Sequence, residues 1–297
     1  MPFATTPAGE ISYWVSGPTE ATESSQTLLM IGGGGSGALW FEHGRGGAGA
    51  TRRLLPHVAR RHRAIVFDNR GNGASSPAHK GLTMADMVDD ALAVLDAAGV
   101  QKAHVLGASM GGMIAQHLAL DHRDRVRSLV LAGTTAGGRR EAPNLRLMAA
   151  LLLRPLIGES RTFPILAPAF YSRRTRRDER ERLNEDMRIR SSDRVGTRTP
   201  FLQAAAIATH DTRARLHELE GVPTLVVHGL EDRVTSPEHG RELAHLIPGA
   251  RLVEIPGAGH VLATDAEDQV AATVVDHLER HTIAAARNRK ARVDAKR

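Results

Sequence analysis

The chain has no cysteine among its 297 residues. That excludes disulfides, thiolate metal sites and a cysteine nucleophile. Aromatic side chains make up 3%, which leaves few rings to stack on bases, and no nucleic-acid-binding motif is present. No apolar run approaches the roughly 18 residues of a membrane-crossing helix. Met1 to Gly9 carry no basic patch followed by an apolar stretch, so the sequence shows no secretory leader and points to the cytoplasm. Lysine is scarce too, 4 residues against 35 arginines, a bias that GC-rich coding explains without an arginine-specific task.

What is present suffices for one large core: 41% of the residues are hydrophobic, which suits one catalytic domain with an insertion better than two independent domains. The net charge of +6 is unevenly placed, because residues 139–198 hold 15 arginines against 8 acids and residues 287–297 hold 6 basic residues against 1 acid. The remainder of the chain is acidic. Phe3–Thr6 and Ile11–Val15 read as an opening hairpin, and Leu28–Ile31, Ala64–Phe67, His104–Leu106 and Ser128–Leu131 as buried strands. Between Thr83 and Gly99, apolar residues Met84, Met87, Val88, Ala91, Leu92 and Leu95 recur at helical spacing. Thr83 is suited to the N-cap, Asp86 to the first turn and Gly99 to the stop. Strand and helix alternating in this way predict a parallel sheet covered on both faces, with its site at the carboxyl ends of the strands.

At one such end stands Gly107-Ala108-Ser109-Met110-Gly111, directly after Val105-Leu106. A serine on a sharp strand-to-helix turn holds strained backbone angles that push its hydroxyl out above the sheet. The flanking glycines leave room for that turn. The next amide, Met110, lies in the first turn of the following helix, where N–H groups lack partners and can hold an anion. A serine hydroxyl also needs a base, and the base an orienting carboxylate. Glu231 and Asp232 follow the buried-strand pattern Thr224 to Gly229. His260 follows the strand Arg251–Ile255 through Pro256-Gly257-Ala258-Gly259.

Serine, acid and histidine in this order, each just past an apolar strand, resemble the α/β-hydrolase superfamily. The likeness covers roughly residues 3–282. Ile31-Gly32-Gly33-Gly34 resembles the family's His-Gly-x loop, with Ile31 in place of the histidine. Phe67-Asp68-Asn69-Arg70-Gly71-Asn72-Gly73-Ala74-Ser75 resembles its D-x-R-G-x-G-x-S turn, and Ala108 stands where relatives often carry histidine. Within the superfamily the chain looks closest to small-molecule esterases and lactonases: aclacinomycin-type methylesterases, enol-lactonases and cofactor-free haloperoxidase-like enzymes. The resemblance implies an α/β fold with a mostly parallel central sheet, helices on both faces and a helical cap insertion. Core is expected at 1–133 and 220–282, the cap at 134–219, and a basic, disordered tail at 283–297. By family spacing the acid is Asp232 rather than Glu231, and the second oxyanion amide is that of Gly33. Leu147, Met148, Leu151, Leu152, Phe163, Phe170 and Tyr171, with Gly34 and Val261, are the candidates to line an acyl pocket. The bland alternative is that they pack cap against core. The implied activity is hydrolysis of a small-molecule ester, lactone or thioester without a cofactor. The alternatives are the same triad used for perhydrolysis, C–C bond hydrolysis or acyl transfer to another acceptor, and a binding protein whose triad is silent.

Other patterns yield to simpler readings. Gly32 to Gly37 and Gly44 to Gly49 both satisfy G-x-G-x-x-G, but the next strand ends at Asp68, too far on to supply the acid of a dinucleotide site. No H-E-x-x-H spacing exists to hold a metal. His228 and His104 fall in or beside buried strands and read as structural, while His43, His57 and His62 fall in early connections. Asp68 and Arg70 could form an acid–base pair, but the resemblance implies a structural turn that braces neighbouring loops. The basic middle segment would suit an acidic carrier protein as partner, although coding bias explains the same arginines.

Overall fold

The computed structural model describes residues 2–18, 26–34, 54–138, 149–150, 152–153, 156–192 and 195–294. Eight strands form one sheet: β1 Phe3–Thr6, β2 Gly9–Ser16, β3 Thr27–Ile31, β4 Arg63–Phe67, β5 Ala103–Ala108, β6 Val126–Ala132, β7 Thr224–Gly229 and β8 Arg251–Ile255. Their spatial order is β1-β2-β4-β3-β5-β6-β7-β8. The opening hairpin β1–β2 is antiparallel, β2 pairs antiparallel with β4, and every later pairing is parallel.

The inner strands read as unbroken apolar runs because both faces are covered. Side chains alternate between two cores. Leu29, Ile31, Ile65, Phe67, Val105, Leu129 and Leu131 enter one. Leu28, Met30, Ala64, Val66, Leu106 and Val130 enter the other. The helices α2 Met84–Ala97, α3 Met110–Asp121 and α8 Pro237–Leu246 contribute to the first core, and α1 Leu54–Ala59, α9 Leu262–Asp265 and α10 Glu267–Asp294 to the second.

The expected helix after Thr83 forms as read. Thr83 Oγ1 accepts from the Asp86 amide at 3.2 Å, while the Thr83 amide donates to Asp86 Oδ2 at 2.8 Å. This is a reciprocal capping box. Gly99 closes the helix at φ +69°.

Between β6 and β7 the chain leaves the sheet, and among the described residues it carries the helices α4 Glu159–Phe170, α5 Arg173–Asp178, α6 Arg180–Ser192 and α7 Thr199–Ala208, with further helical residues at 149–150, 152–153 and 156–157. This is where the cap was expected. The apolar helix expected over Leu145–Leu156 lies mostly outside the described residues, and Leu147, Met148 and Leu151 fall there. The tail departs from expectation, because α10 carries helical backbone on to Asp294. Ala284 to Ala286 and the basic residues after them are good helix formers, so extending an existing helix costs little.

Candidate active site

Ser109 ends β5 and opens α3 at φ +54°, the only positive φ outside glycine among the described residues. The glycines around it permit this. A Cβ on Gly107 would lie 2.2 Å from the Gly111 carbonyl oxygen, and one on Gly111 would lie 2.1 Å from that of Ile31. Strand end and helix start are therefore pressed together at this turn. Thr134 Oγ1 donates to the Ser109 carbonyl at 2.7 Å, and the Ser109 amide donates to the Ala132 carbonyl at 2.9 Å.

The acid and the histidine arrive from the ends of β7 and β8. His260 Nδ1 donates to Asp232 Oδ2 at 2.7 Å, and Ser109 Oγ donates to His260 Nε2 at 3.0 Å. The other Asp232 oxygen, Oδ1, accepts from the Val234 and Thr235 amides at 2.8 and 2.9 Å. Burial would raise the Asp232 carboxyl. The His260 and His228 rings facing it outweigh burial and hold it below the ordinary carboxylate range. Asp232 thus stays ionised and fixes the His260 tautomer with Nε2 toward Oγ. Glu231, the alternative acid, instead accepts from the Arg173 amide at 2.9 Å. Gly133, at the end of β6, keeps clear the place where a Cβ would sit 3.6 Å from both Asp232 Oδ2 and His260 Nδ1.

The Gly32–Gly34 loop lies beside this turn. A Cβ on Gly111 would be 2.6 Å from the Gly32 carbonyl oxygen, and one on Gly34 would be 3.8 Å from Met110 Sδ. Gly33, one of the two residues expected to hold an oxyanion, lies between these two points of the loop, and Met110, the other, opens α3 beside it. Residues 28–266 match the family described as alpha/beta hydrolase fold. The chain belongs to that family.

Among alpha/beta hydrolases it is similar to BpoC of Mycobacterium tuberculosis, which carries a non-heme bromoperoxidase name: 32% identity over 233 residues, 74% of this chain and 86% of that one. It is 29% identical to the rhodomycin D methylesterase DnrP of Streptomyces peucetius over 314 residues, covering 95% of this chain and all of DnrP. Its fold is like that of the enol-lactonase from Burkholderia xenovorans LB400, with a TM-score of 0.79 at 24% identity, covering 93% and 99% of the two chains.

In this hydrolase the candidate pocket residues divide. Phe170, at the end of α4, sets its ring edge-on to His260 with centroids 5.4 Å apart. Phe163 and Tyr171 lie 5.9 Å apart in the apolar cluster that also holds Val261. Phe163 and Phe170 keep partial exposure, whereas Tyr171 and Val261 are buried and pack the end of α4 against the start of α9. Gly34 is exposed on the loop beside Met110.

Two further residues support the triad: His228, expected only to be structural, and Asp265, which the sequence does not mark. His228 donates from Nε2 to the Thr235 carbonyl at 2.9 Å and stands 3.4 Å from Asp232 Oδ2. It is structural, as its place in a buried strand suggested, but the structure it supports is the acid itself. Asp265 accepts from the Gly259 amide at 2.6 Å and the Ser172 amide at 2.8 Å, joining the loop before His260 to the start of α5. Nothing in its local sequence marks it.

Arg70 forms a buried pair with Asp90 of α2 and donates to the Ala8 carbonyl, and Asp68 Oδ2 accepts from the Ala74 amide at 3.0 Å, so both brace the turn they sit in. Among the described residues, His57, Glu267 and Asp268 are the one group of three metal-ligand type within 4.8 Å. Glu267 there already faces His57 at 2.9 Å and Arg182 at 3.0 Å. No helix among the described residues is long and apolar enough to cross a membrane.

Proposed function

We propose that the chain is a serine hydrolase that cleaves a carboxylic ester, lactone or thioester of a small organic molecule through an acyl-enzyme on Ser109. The observation that carries this reading is the continuous relay from Ser109 Oγ through His260 to Asp232, at 3.0 and 2.7 Å, on a strained turn at the end of a central strand. His260 Nε2 takes the hydroxyl proton as Oγ attacks the acyl carbon. Asp232 steadies the imidazolium that forms. The Met110 and Gly33 amides receive the tetrahedral oxyanion, each donor being worth roughly 3–4 kcal/mol in such sites. His260 then protonates the leaving group and activates the water that releases the acid. An aspartate nucleophile would have implied haloalkane or epoxide chemistry, and a serine stands there instead.

The near-complete overlap with the rhodomycin D methylesterase DnrP favours an ester among these substrates. The likeness to BpoC keeps a second reading open, in which the same triad passes its acyl group to an acceptor other than water. A carrier protein gains little support. Among the cap arginines, Arg174 and Arg182 pair with Glu179, and Arg177 with Asp178.

The test is hydrolysis of p-nitrophenyl esters of graded chain length by the wild type and by Ser109→Ala, with a fluorophosphonate label alongside. Turnover and labelling that both vanish in the variant are expected, and product analysis separates hydrolysis from transfer. A Ser109→Ala enzyme of undiminished rate would overturn the proposal.

A further inference from the structure

We infer that Asn69 is a positioning residue that aims the oxyanion hole, fixing the Gly33 N–H by holding the carbonyl of the same peptide unit. This rests on the reading of Gly33 as an oxyanion donor.

The Asn69 side-chain amide donates from Nδ2 to the Gly32 carbonyl at 2.8 Å, across 37 residues of sequence and in a buried setting. That carbonyl and the Gly33 N–H are the two ends of one planar group. No cis peptide is present among the described residues, so the N–H points opposite to the carbonyl. Whatever fixes the carbonyl fixes the donor. On its other side the Gly32 oxygen faces α3, where a Cβ on Gly111 would be 2.6 Å away. The peptide plane is therefore clamped between an amide and a helix. A bond to the carbonyl also polarises the peptide and strengthens its N–H as a donor.

The position follows from the sheet. β3 and β4 run parallel, with their pairing ending at Met30 opposite Val66. Two residues beyond Met30, the Asn69 side chain reaches across to the Gly32 carbonyl. The turn that carries Asn69 is itself held. Asp68 Oδ2 accepts from the Ala74 amide at 3.0 Å, Arg70 is paired with Asp90, and Gln203 Nε2 donates to the Arg70 carbonyl at 3.3 Å. Asn69 is 2% exposed, and its Oδ1 meets no donor among the described residues. Burying an amide with one end unmet is costly, and the Gly32 bond is the return on that cost.

The test uses Asn69→Asp, which keeps the shape but exchanges the donor for an acceptor, and Asn69→Leu, which removes the polar group. With rates taken per fluorophosphonate-titrated site, kcat for the best p-nitrophenyl ester should fall about 10- to 100-fold, less than the 10²–10³ of outright donor loss. KM should stay within about threefold. The inhibition constant of a matching trifluoromethyl ketone, whose adduct places an oxyanion in the hole, should rise by the same factor as kcat falls. A purely structural role would lower the melting temperature and leave kcat and that inhibition constant unmoved, which would overturn the inference. Gly33→Pro removes the N–H itself and separates the two claims. If it keeps full kcat and full inhibitor affinity, the oxyanion reading fails. If it loses both while both Asn69 variants keep them, the role of Asn69 alone fails.

Discussion

At the scale of single residues, the site depends on places where a side chain is missing. Gly107 and Gly111 let strand and helix meet, since a methyl on either would overlap backbone at 2.2 or 2.1 Å. Gly99 has positive φ as well, but nothing lies within 4 Å of its Cβ position. Alanine at Gly99 should therefore cost about 1 kcal/mol, the price of the left-handed conformation alone. Alanine at Gly107 or Gly111 should cost more than about 3 kcal/mol. Urea denaturation of the three variants checks the order, and equal losses would refute it. Asp232→Asn keeps the size of the acid but not its charge, and should lower kcat by about 10⁴-fold. Steady-state kinetics on the fastest p-nitrophenyl ester reads this directly. These residues were legible because each carries a local reason: a turn, a helix start, a loop past a strand. Asn69 and Asp265 were not, because their partners are Gly32 and Ser172, and sequence distance hides such pairs.

At the scale of elements, the strands were readable as apolar runs, and α2 was readable from its caps. The insertion was harder. α4 contains Pro164 and Pro168, which argue against a helix when read locally. α7 carries a signal that was passed over, a proline in its first turn at Pro200. What matters chemically is how the insertion is fastened. The Asp265 carboxylate is raised by burial, against the pull of the Gly259 and Ser172 amides and of the Ser172 and Thr175 hydroxyls. Asp265→Ala would leave those two amides without their acceptor, at about 1–3 kcal/mol each. The variant should melt lower and show a reduced kcat from a displaced His260. Unchanged kcat in a destabilised variant would limit Asp265 to holding the fold.

At the scale of the whole molecule, buried histidines make the fold sensitive to acid. Burial pushes His210 down to about 4 and His277 down to about 3. His117 Nε2 donates to His210 Nδ1 at 3.2 Å, and His210 Nε2 donates to the Thr135 carbonyl at 3.1 Å, a chain that needs the neutral ring. The unfolded chain takes up these protons near pH 6.5 and the folded chain does not, so stability is full above that pH and declines below it. By pH 4, His210 alone should remove roughly 3 kcal/mol. Melting temperature between pH 8 and 4 should fall on the acid side, and less steeply in His210→Gln. An identical slope in the variant would exclude His210 as a cause.

The relay from Ser109 to His260 spans 151 residues of chain. Its members come from the ends of β5, β7 and β8, and the proposed oxyanion loop from the end of β3. A growing chain therefore carries the proposed nucleophile before it carries the proposed base. Until the last strand docks, the serine is an ordinary alcohol. Under the proposed function, hydrolysis would need all of these strand ends in place at once, and a chain without its histidine seated would lack the base that makes the serine reactive.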